Sequence, residues 1–269
     1  GQLIHEGPKE QLDLTTNTQP VMLAAAVACY RAWMAETGLA PALVAGHSLG
    51  EYSALVAAGS LTLADALPLV RFRAQAMQEA VPVGVGAMAA ILGLDSEVVR
   101  VTCAEVAAAV GEPVEAANFN DPKQIVIAGT KGAVDQACEA LKGRGAKRAL
   151  PLAVSAPFHS SLMKPAAERL QERLLSVTLR APAIPLVNNI DVAVQTDPDA
   201  IREALYRQAF GPVRWVEVVQ AIRARGATHL FECGPGKVLA GLAGRIDASL
   251  VVGNVLDPAT LAEAKGLLQ

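Results

Sequence analysis

Ser48 stands between two glycines in Gly46-His47-Ser48-Leu49-Gly50, the G-x-S-x-G spacing of a nucleophile elbow. Glycines there permit a sharp strand-to-helix turn that pushes a hydroxyl out of the sheet. A serine at its ordinary pKa is a weak nucleophile and needs a base within hydrogen-bond reach, most often histidine. Of the four histidines, His5 lies in a polar leader, His229 precedes an apolar strand pattern, and His47 adjoins the serine with its side chain directed away from the hydroxyl. His159 is the candidate base: it sits in the loop Ser155-Ala156-Pro157-Phe158-His159-Ser160 between a strand and a helix, where functional side chains are presented. A hydrolase-type triad needs an acid between serine and histidine in chain order. Asp95 reads as a helix cap, Asp121 as part of a hairpin turn and Asp135 as an outward helix residue, and no Asp precedes a Gly as a patatin-like dyad requires. What is left is a Ser-His dyad whose ring is oriented by a backbone carbonyl.

The elements around these residues follow from apolar periodicity and punctuation. Thr18-Gln19-Pro20 predicts a helix start running to Gly38. A strand over 42–46 turns at the serine into a helix from Glu51, which places the Leu49 amide at a helix N-terminus facing a developing oxyanion. Thr62 and Asp65 open another helix that extends to about Ala80. From 86 the order becomes β-α-β-β-α-β, with strands at 87–92, 114–119, 124–128 and 146–154, helices at 96–110 and 131–141, and a turn at Asn120-Asp121-Pro122. Strands at 184–188, 228–232 and 250–253 then return to parallel α/β logic. The expected fold is α/β: an α/β-hydrolase-like parallel sheet domain, discontinuous over 1–84 and 155–269, with an inserted ferredoxin-like subdomain over 85–154.

With 52% apolar residues, few aromatics and a formal charge of −3, the 269-residue chain has a sizeable core and no general attraction for nucleic acid or anionic membrane. The apolar run from Val21 to Tyr30 is about half of a membrane span, and the start carries no signal pattern. Cys29, Cys103, Cys138 and Cys233 are far apart with no CxxC spacing, which predicts reduced thiols, no metal site and a cytoplasmic location. No exposed apolar helix or heptad stands out, so a monomer is expected.

Five ordered segments carry a family resemblance: GHSLGEYSALVAAG, Arg71-Phe72-Arg73 followed by AQAMQEA, NFNDPKQIVIAG, PFHSSLMKPA and ECGPGKVLAGL. Together they resemble the acyltransferase family of fatty acid and polyketide synthesis, and the free-standing malonyl-CoA:acyl carrier protein transacylases more closely than the polyketide synthase domains. The resemblance implies a ping-pong transfer of malonyl from coenzyme A to an acyl carrier protein, with Ser48 acylated, His159 as base and the Leu49 N–H as an oxyanion donor. It implies no bound cofactor; the coenzyme A thioester is substrate. Arg73 would hold the substrate carboxylate in its planar fork, a group for which an esterase of neutral acyl chains has no use. The Gln208 carbonyl would orient His159. Phe158 would fill the space of an α-methyl group, a filter worth about 1–3 kcal/mol. His47 and Asn118 would line the substrate site, with Asn120 close by. Lys142, Arg144, Lys147 and Arg148 form a basic cluster that could steer an acidic carrier or the phosphates of coenzyme A, or be a solvated helix end.

One departure sets a further expectation. The family opens with a strand and a Gly-Gln-Gly-Ser-Gln loop whose glutamine is the second oxyanion donor, whereas this chain begins at Gly1-Gln2-Leu3-Ile4, past that loop. Loss of one donor lowers a rate by about 10²- to 10³-fold. A serine esterase or thioesterase with the same elbow, and an inactive carrier-binding module, are the alternative readings.

Overall fold

A computed structural model describes residues 2–12, 14–154 and 156–269; Gly1 of the opening tetrad and Ser155 of the histidine loop lie outside the described residues. The leader holds two short helices, α1 (Gln2–Glu6), which carries His5, and α2 (Lys9–Leu12). Helix α3 (Thr15–Thr37) starts three residues before the expected cap, with Leu14 as N-cap. The Thr18 N–H and hydroxyl both bond the Leu14 carbonyl, at 2.7 and 3.0 Å, so Thr18 closes an extra turn instead of capping one. Its end is as expected: Gly38 takes a left-handed φ of 64° and its N–H returns to the Met34 carbonyl.

Helix α4 (Gly50–Ala57) follows the elbow, and α5 (Leu63–Glu79) starts where Thr62 accepts the Asp65 N–H at 3.2 Å. On α5, Arg71 is exposed while Arg73 faces inward among Leu69, Val70, Ala74 and Met77. Helices α3, α4 and α5 pack around Leu23, Leu55 and Leu69, joined by residues of later helices.

The next stretch forms a four-stranded antiparallel sheet in the order β2-β3-β1-β4. Its elements are β1 (Gly86–Leu92), α6 (Ser96–Val110), β2 (Val114–Asp121), β3 (Gln124–Thr130), α7 (Lys131–Gly143) and β4 (Arg148–Pro151). Helices α6 and α7 bury Val99, Cys103, Val134 and Leu141 against Ile91, Ile125 and Ile127 of the strands. Two boundaries differ from expectation. Asn120 and Asp121 remain in β2, because the Asp121 carboxylate accepts the Lys123 N–H at 2.8 Å and so pins the reversal one step later, at Pro122-Lys123. β4 is half its expected length: Ala146 donates back to Leu141 at the helix end, and Pro151 has no N–H for the ladder. Asp95 caps α6 by position only, its carboxylate pairing with Lys123, and Asp135 pairs with Lys131 on the surface.

Beyond the histidine loop come a single 3₁₀ turn (Ser161–Met163), α8 (Lys164–Leu175), α9 (Pro198–Phe210), α10 (Trp215–Ala224), β5 (His229–Cys233), α11 (Val238–Ile246), β6 (Val251–Val255) and α12 (Pro258–Gly266). β5 and β6 pair in parallel from His229↔Val251 to Cys233↔Val255. Between the strands expected over 42–46 and 184–188 there is one parallel bridge, Val44 to Leu186, and Val187 pairs antiparallel with Val194 instead. Gly46 already turns into the elbow on one side. On the other, Pro185 lacks an N–H, and the Asn188 carboxamide accepts from Asp191 and Ala193, which bends the chain. The sheet-level description supported is therefore mixed α/β. All four cysteines are free thiols, Cys103 and Cys138 buried in the core. Among the described residues no helix is long and apolar enough to cross a membrane.

Candidate active site

The elbow is built around a contact that only glycine allows. A Cβ on Gly46 would lie 1.9 Å from the Gly50 carbonyl group, whereas one on Gly50 meets nothing within 4 Å. Of the two glycines in the motif, the first is required sterically and the second is not. Ser48 takes a left-handed φ of 54°, an uncommon conformation for a side-chain-bearing residue. Leu49 directly precedes α4, so its N–H belongs to the orphan donors of a helix start.

His159 approaches from the other side of the chain, also with a left-handed φ of 61°. Its Nδ1–H donates to the Gln208 carbonyl at 2.9 Å. A carbonyl only accepts, so this bond fixes the tautomer and leaves Nε2 unprotonated. The Ser48 hydroxyl donates to that Nε2 at 2.7 Å. Burial, with the Arg73 charge adding to it, pushes the imidazole pKa down to about 3, and the bond to Gln208 only partly opposes this. The ring is therefore a neutral proton acceptor at pH 7. Among the described residues no carboxylate orients it; the dyad with a carbonyl is what the geometry holds.

Arg73 is 1% exposed and reaches into the same space. Its Nη2 donates to the Ser48 Oγ at 3.2 Å and to the Gln208 Oε1 at 3.0 Å, and its Nη1 donates to the Gln19 Oε1 at 2.7 Å. Its guanidinium carbon lies 5.3 Å from the centre of the Tyr52 ring, and its buried Nε–H has no partner among the described residues. All three hydrogen-bond partners are neutral, and burial lowers its pKa. A desolvated cation with an unspent donor, touching the nucleophile, is disposed to receive an anion.

The other expected site residues fall at different distances from this centre. Gln208 acts twice, by its carbonyl on His159 and by its carboxamide, whose Nε2 donates to the Ser48 carbonyl at 3.0 Å. His47 does point away from the hydroxyl: its Nε2 meets the Asn120 Oδ1 at 2.8 Å and its ring lies edge-on to Trp215. Asn118 is buried two residues earlier on β2. Phe158 packs at once against Ala76, Met77 and Met163 and against Met88, Ala117 and Val126, bridging the sheet of β1–β4 to α5. The basic cluster is partly neutralised, Lys142 by Glu139 and Arg144 by Glu105, while Lys147 and Arg148 are exposed.

Three residues of the centre were missed by sequence reasoning: Gln19, which holds Arg73, and the pair Glu51 and Asn189. Asn189 accepts the Ser48 N–H and donates to the Gly46 carbonyl. Glu51 accepts the Asn189 N–H at 2.7 Å, and its burial raises the carboxyl pKa to about 7. A carboxylate three residues after the elbow serine, on the inward face of its helix, is a signal that could have been read. Among the described residues, no cluster of three or more His, Cys, Asp or Glu side chains could hold a metal ion.

Comparison with known proteins gives the family. Residues 1–241 match the acyl transferase domain family. The chain is 53% identical over 262 residues to the malonyl CoA-acyl carrier protein transacylase of Escherichia coli K12, covering 97% of this chain and 84% of that one. The acyl-carrier-protein S-malonyltransferase of Burkholderia pseudomallei 1710b superposes with a TM-score of 0.96 at 66% identity, covering 98% of this chain and 85% of that one. A malonyl-transacylase in complex with its type II polyketide synthase acyl carrier protein superposes with a TM-score of 0.95 at 51% identity, over 98% of this chain and 84% of that one.

Proposed function

The chain belongs to the acyl transferase family, and from that membership we propose that it passes a malonyl group from malonyl-CoA to the phosphopantetheine thiol of an acyl carrier protein, through an ester on Ser48, in fatty acid synthesis. The observation that carries the malonyl assignment is the position of Arg73. In malonate one methylene separates the carboxylate from the thioester carbonyl, so the group that binds the carboxylate must adjoin the nucleophile. Arg73 Nη2 is 3.2 Å from Ser48 Oγ.

In the first half-reaction His159 Nε2 takes the Ser48 proton as Oγ bonds to the thioester carbon. The carbonyl oxygen gains the electron pair and faces the Leu49 N–H. Collapse breaks the carbon–sulfur bond, and the imidazolium returns its proton to the coenzyme A thiolate. The second half reverses the order: His159 deprotonates the carrier thiol, which attacks the malonyl ester, and Ser48 leaves with the proton. The Gln208 carbonyl stabilises each transient imidazolium. Every proton moved in these steps belongs to the dyad or to the two thiols.

Phe158, half-buried between two apolar clusters, supports a preference for malonyl over methylmalonyl; His47 and Asn118 we assign to the wall of the cleft. The order β2-β3-β1-β4 with two helices supports a ferredoxin-like subdomain over 85–154 inserted into an α/β-hydrolase-like parallel domain over 1–84 and 155–269. The free thiols fit a reducing, cytoplasmic compartment.

Intact-mass analysis after mixing with malonyl-CoA tests the assignment. A malonyl adduct is expected, absent in Ser48→Ala, and transferable to holo acyl carrier protein. Arg73→Ala removes about two charge-assisted hydrogen bonds of about 1.5–3 kcal/mol each, and so should slow malonylation by about 10²- to 10⁴-fold while leaving acetyl-CoA far less affected. An adduct that forms and hydrolyses without reaching the carrier would make the protein a thioesterase.

A further inference from the structure

The left-handed backbone of Ser48 has to be held from outside, since nothing in a serine favours it. The restraint comes from Asn189, 141 positions away in the chain and fully buried. Its Oδ1 accepts the Ser48 N–H at 2.8 Å while its Nδ2 donates to the Gly46 carbonyl at 2.7 Å, so one planar amide clamps both sides of the turn. Gln208 Nε2 bonds the Ser48 carbonyl at 3.0 Å and touches the same Asn189 Oδ1 at 3.3 Å. Gln208 also orients His159 and holds Arg73. The carboxamides of Asn189 and Gln208 thus tie nucleophile, base and cation into one network.

Asn189 is itself fixed by an unusual partner. Its backbone N–H is accepted by the Glu51 Oε1 at 2.7 Å, and Glu51, 2% exposed, forms no ion pair among the described residues. Glu51 also lines a cavity of about 10 Å³ together with Asn188 and Gln195. A backbone amide needs only an acceptor, and burying a carboxyl for one is costly where a helix neighbour could be apolar. A buried carboxyl at this point is explained if the register of Asn189 matters to the chemistry.

We propose that Asn189 is a positioning residue of the acyl transfer, holding the elbow so that Ser48 Oγ meets His159 while the Leu49 N–H faces the oxyanion, and that Glu51 sets Asn189 in register. The proposal rests on the transfer reading given above. A shift of about 1 Å in a reacting atom lowers a rate by about 10²-fold, which sets the scale of the effect.

The test uses the full chain and Asn189→Ala, Glu51→Ala and Glu51→Gln, with melting curves to establish folding. Two rates are read for each: single-turnover malonylation of Ser48 by malonyl-CoA, with its KM, and labelling of Ser48 by a fluorophosphonate, which needs elbow and base but no malonyl recognition. Asn189→Ala should lower both rates by about 10²-fold with KM within about threefold. Glu51→Gln, which keeps an acceptor toward the Asn189 N–H, should recover at least a tenfold share of the rate lost in Glu51→Ala. Folded Asn189→Ala protein with both rates within threefold of the parent overturns the proposal. If Asn189→Ala does not fold, Asn189→Asp, which keeps the acceptor for Ser48 and loses the donor to Gly46, decides on the same criterion. Should the parent chain label with fluorophosphonate but not with malonyl-CoA, the transfer reading fails and the labelling rates alone judge the positioning role.

Discussion

Replacing the buried carboxyl of Glu51 by Gln should change how stability depends on pH, with a sign that the structure fixes. The Glu51 pKa is raised from 4.5 in the unfolded chain to about 7 in the fold. Between those values the native state holds a proton that the unfolded state has lost, so this group's contribution falls as pH rises, by about 1.4 kcal/mol per pH unit. Over the whole window the loss is about 3 kcal/mol. His159 works in the opposite direction: its pKa is lowered from 6.5 to about 3, so the unfolded chain binds the extra proton and stability rises with pH between those limits. From about pH 4.5 to 6.5 the two slopes oppose each other with similar size and nearly cancel. Glu51→Gln keeps the acceptor for Asn189 and removes only the falling term. Urea unfolding at steps from about pH 4 to 7.5 should therefore show the variant gaining about 3 kcal/mol relative to the parent as pH increases. All other titrating groups are common to both proteins and drop out of the difference. Parallel curves would refute the reasoning, because they would mean that Glu51 is already ionised in the native protein at low pH.

Malonylation of Ser48 in single turnover should keep its rate as pH falls through 6.5, because His159 stays neutral down to about 3; a half-loss centred near 6.5 would contradict the burial of the dyad. Gly46→Ala should abolish folding or labelling of Ser48, since its Cβ would strike the Gly50 carbonyl at 1.9 Å, whereas Gly50→Ala should melt within a few degrees of the parent. Phe158→Ala should relax selection against methylmalonyl-CoA by about 10- to 200-fold in relative kcat/KM, the worth of one methyl group in a packed pocket. An unchanged ratio would move the filter elsewhere.

The parts of the site that were legible are those written locally. Gly46-His47-Ser48-Leu49-Gly50 encodes its own turn, and Thr62 and Asp65 encode the start of the helix that carries Arg73. The inward direction of Arg73 and the outward one of Arg71 follow from helical spacing once the family resemblance names the pair. What was not legible is long-range. Asn189 reaches Ser48 across 141 positions and Gln19 reaches Arg73 across 54, and nothing near either residue distinguishes it from a capping amide. Strand lengths failed for a related reason. Apolar runs at 42–46 and 184–188 have the composition of strands, but pairing depends on backbone donors, and Pro185, the Gly46 turn and the Asn188 side-chain bonds remove the ladder around Val44 and Leu186.

The same network explains why arginine stands at position 73, where lysine would supply the charge. A buried cation without a carboxylate must satisfy its donors with neutral acceptors, and these lie in three directions: Gln19 Oε1, Gln208 Oε1 and Ser48 Oγ. A guanidinium meets all three from one rigid plane and still has Nε–H left. An ammonium has three donors but no plane, and its pKa drops readily on burial, so Arg73→Lys would risk a neutral amine at the one place where a malonyl carboxylate needs a cation. Donors already oriented by Gln19 and Gln208 need little rearrangement when an anion arrives. On the proposed function, a carboxylate that draws Nη2 from Ser48 Oγ would release the Oγ lone pair that attacks the thioester, while the hydroxyl proton is still directed at His159. On that reading, recognition of the acid end of the acyl group and release of the serine lone pair would be one event, and a donor without a carboxylate, such as acetyl-CoA, would leave the hydroxyl under the guanidinium.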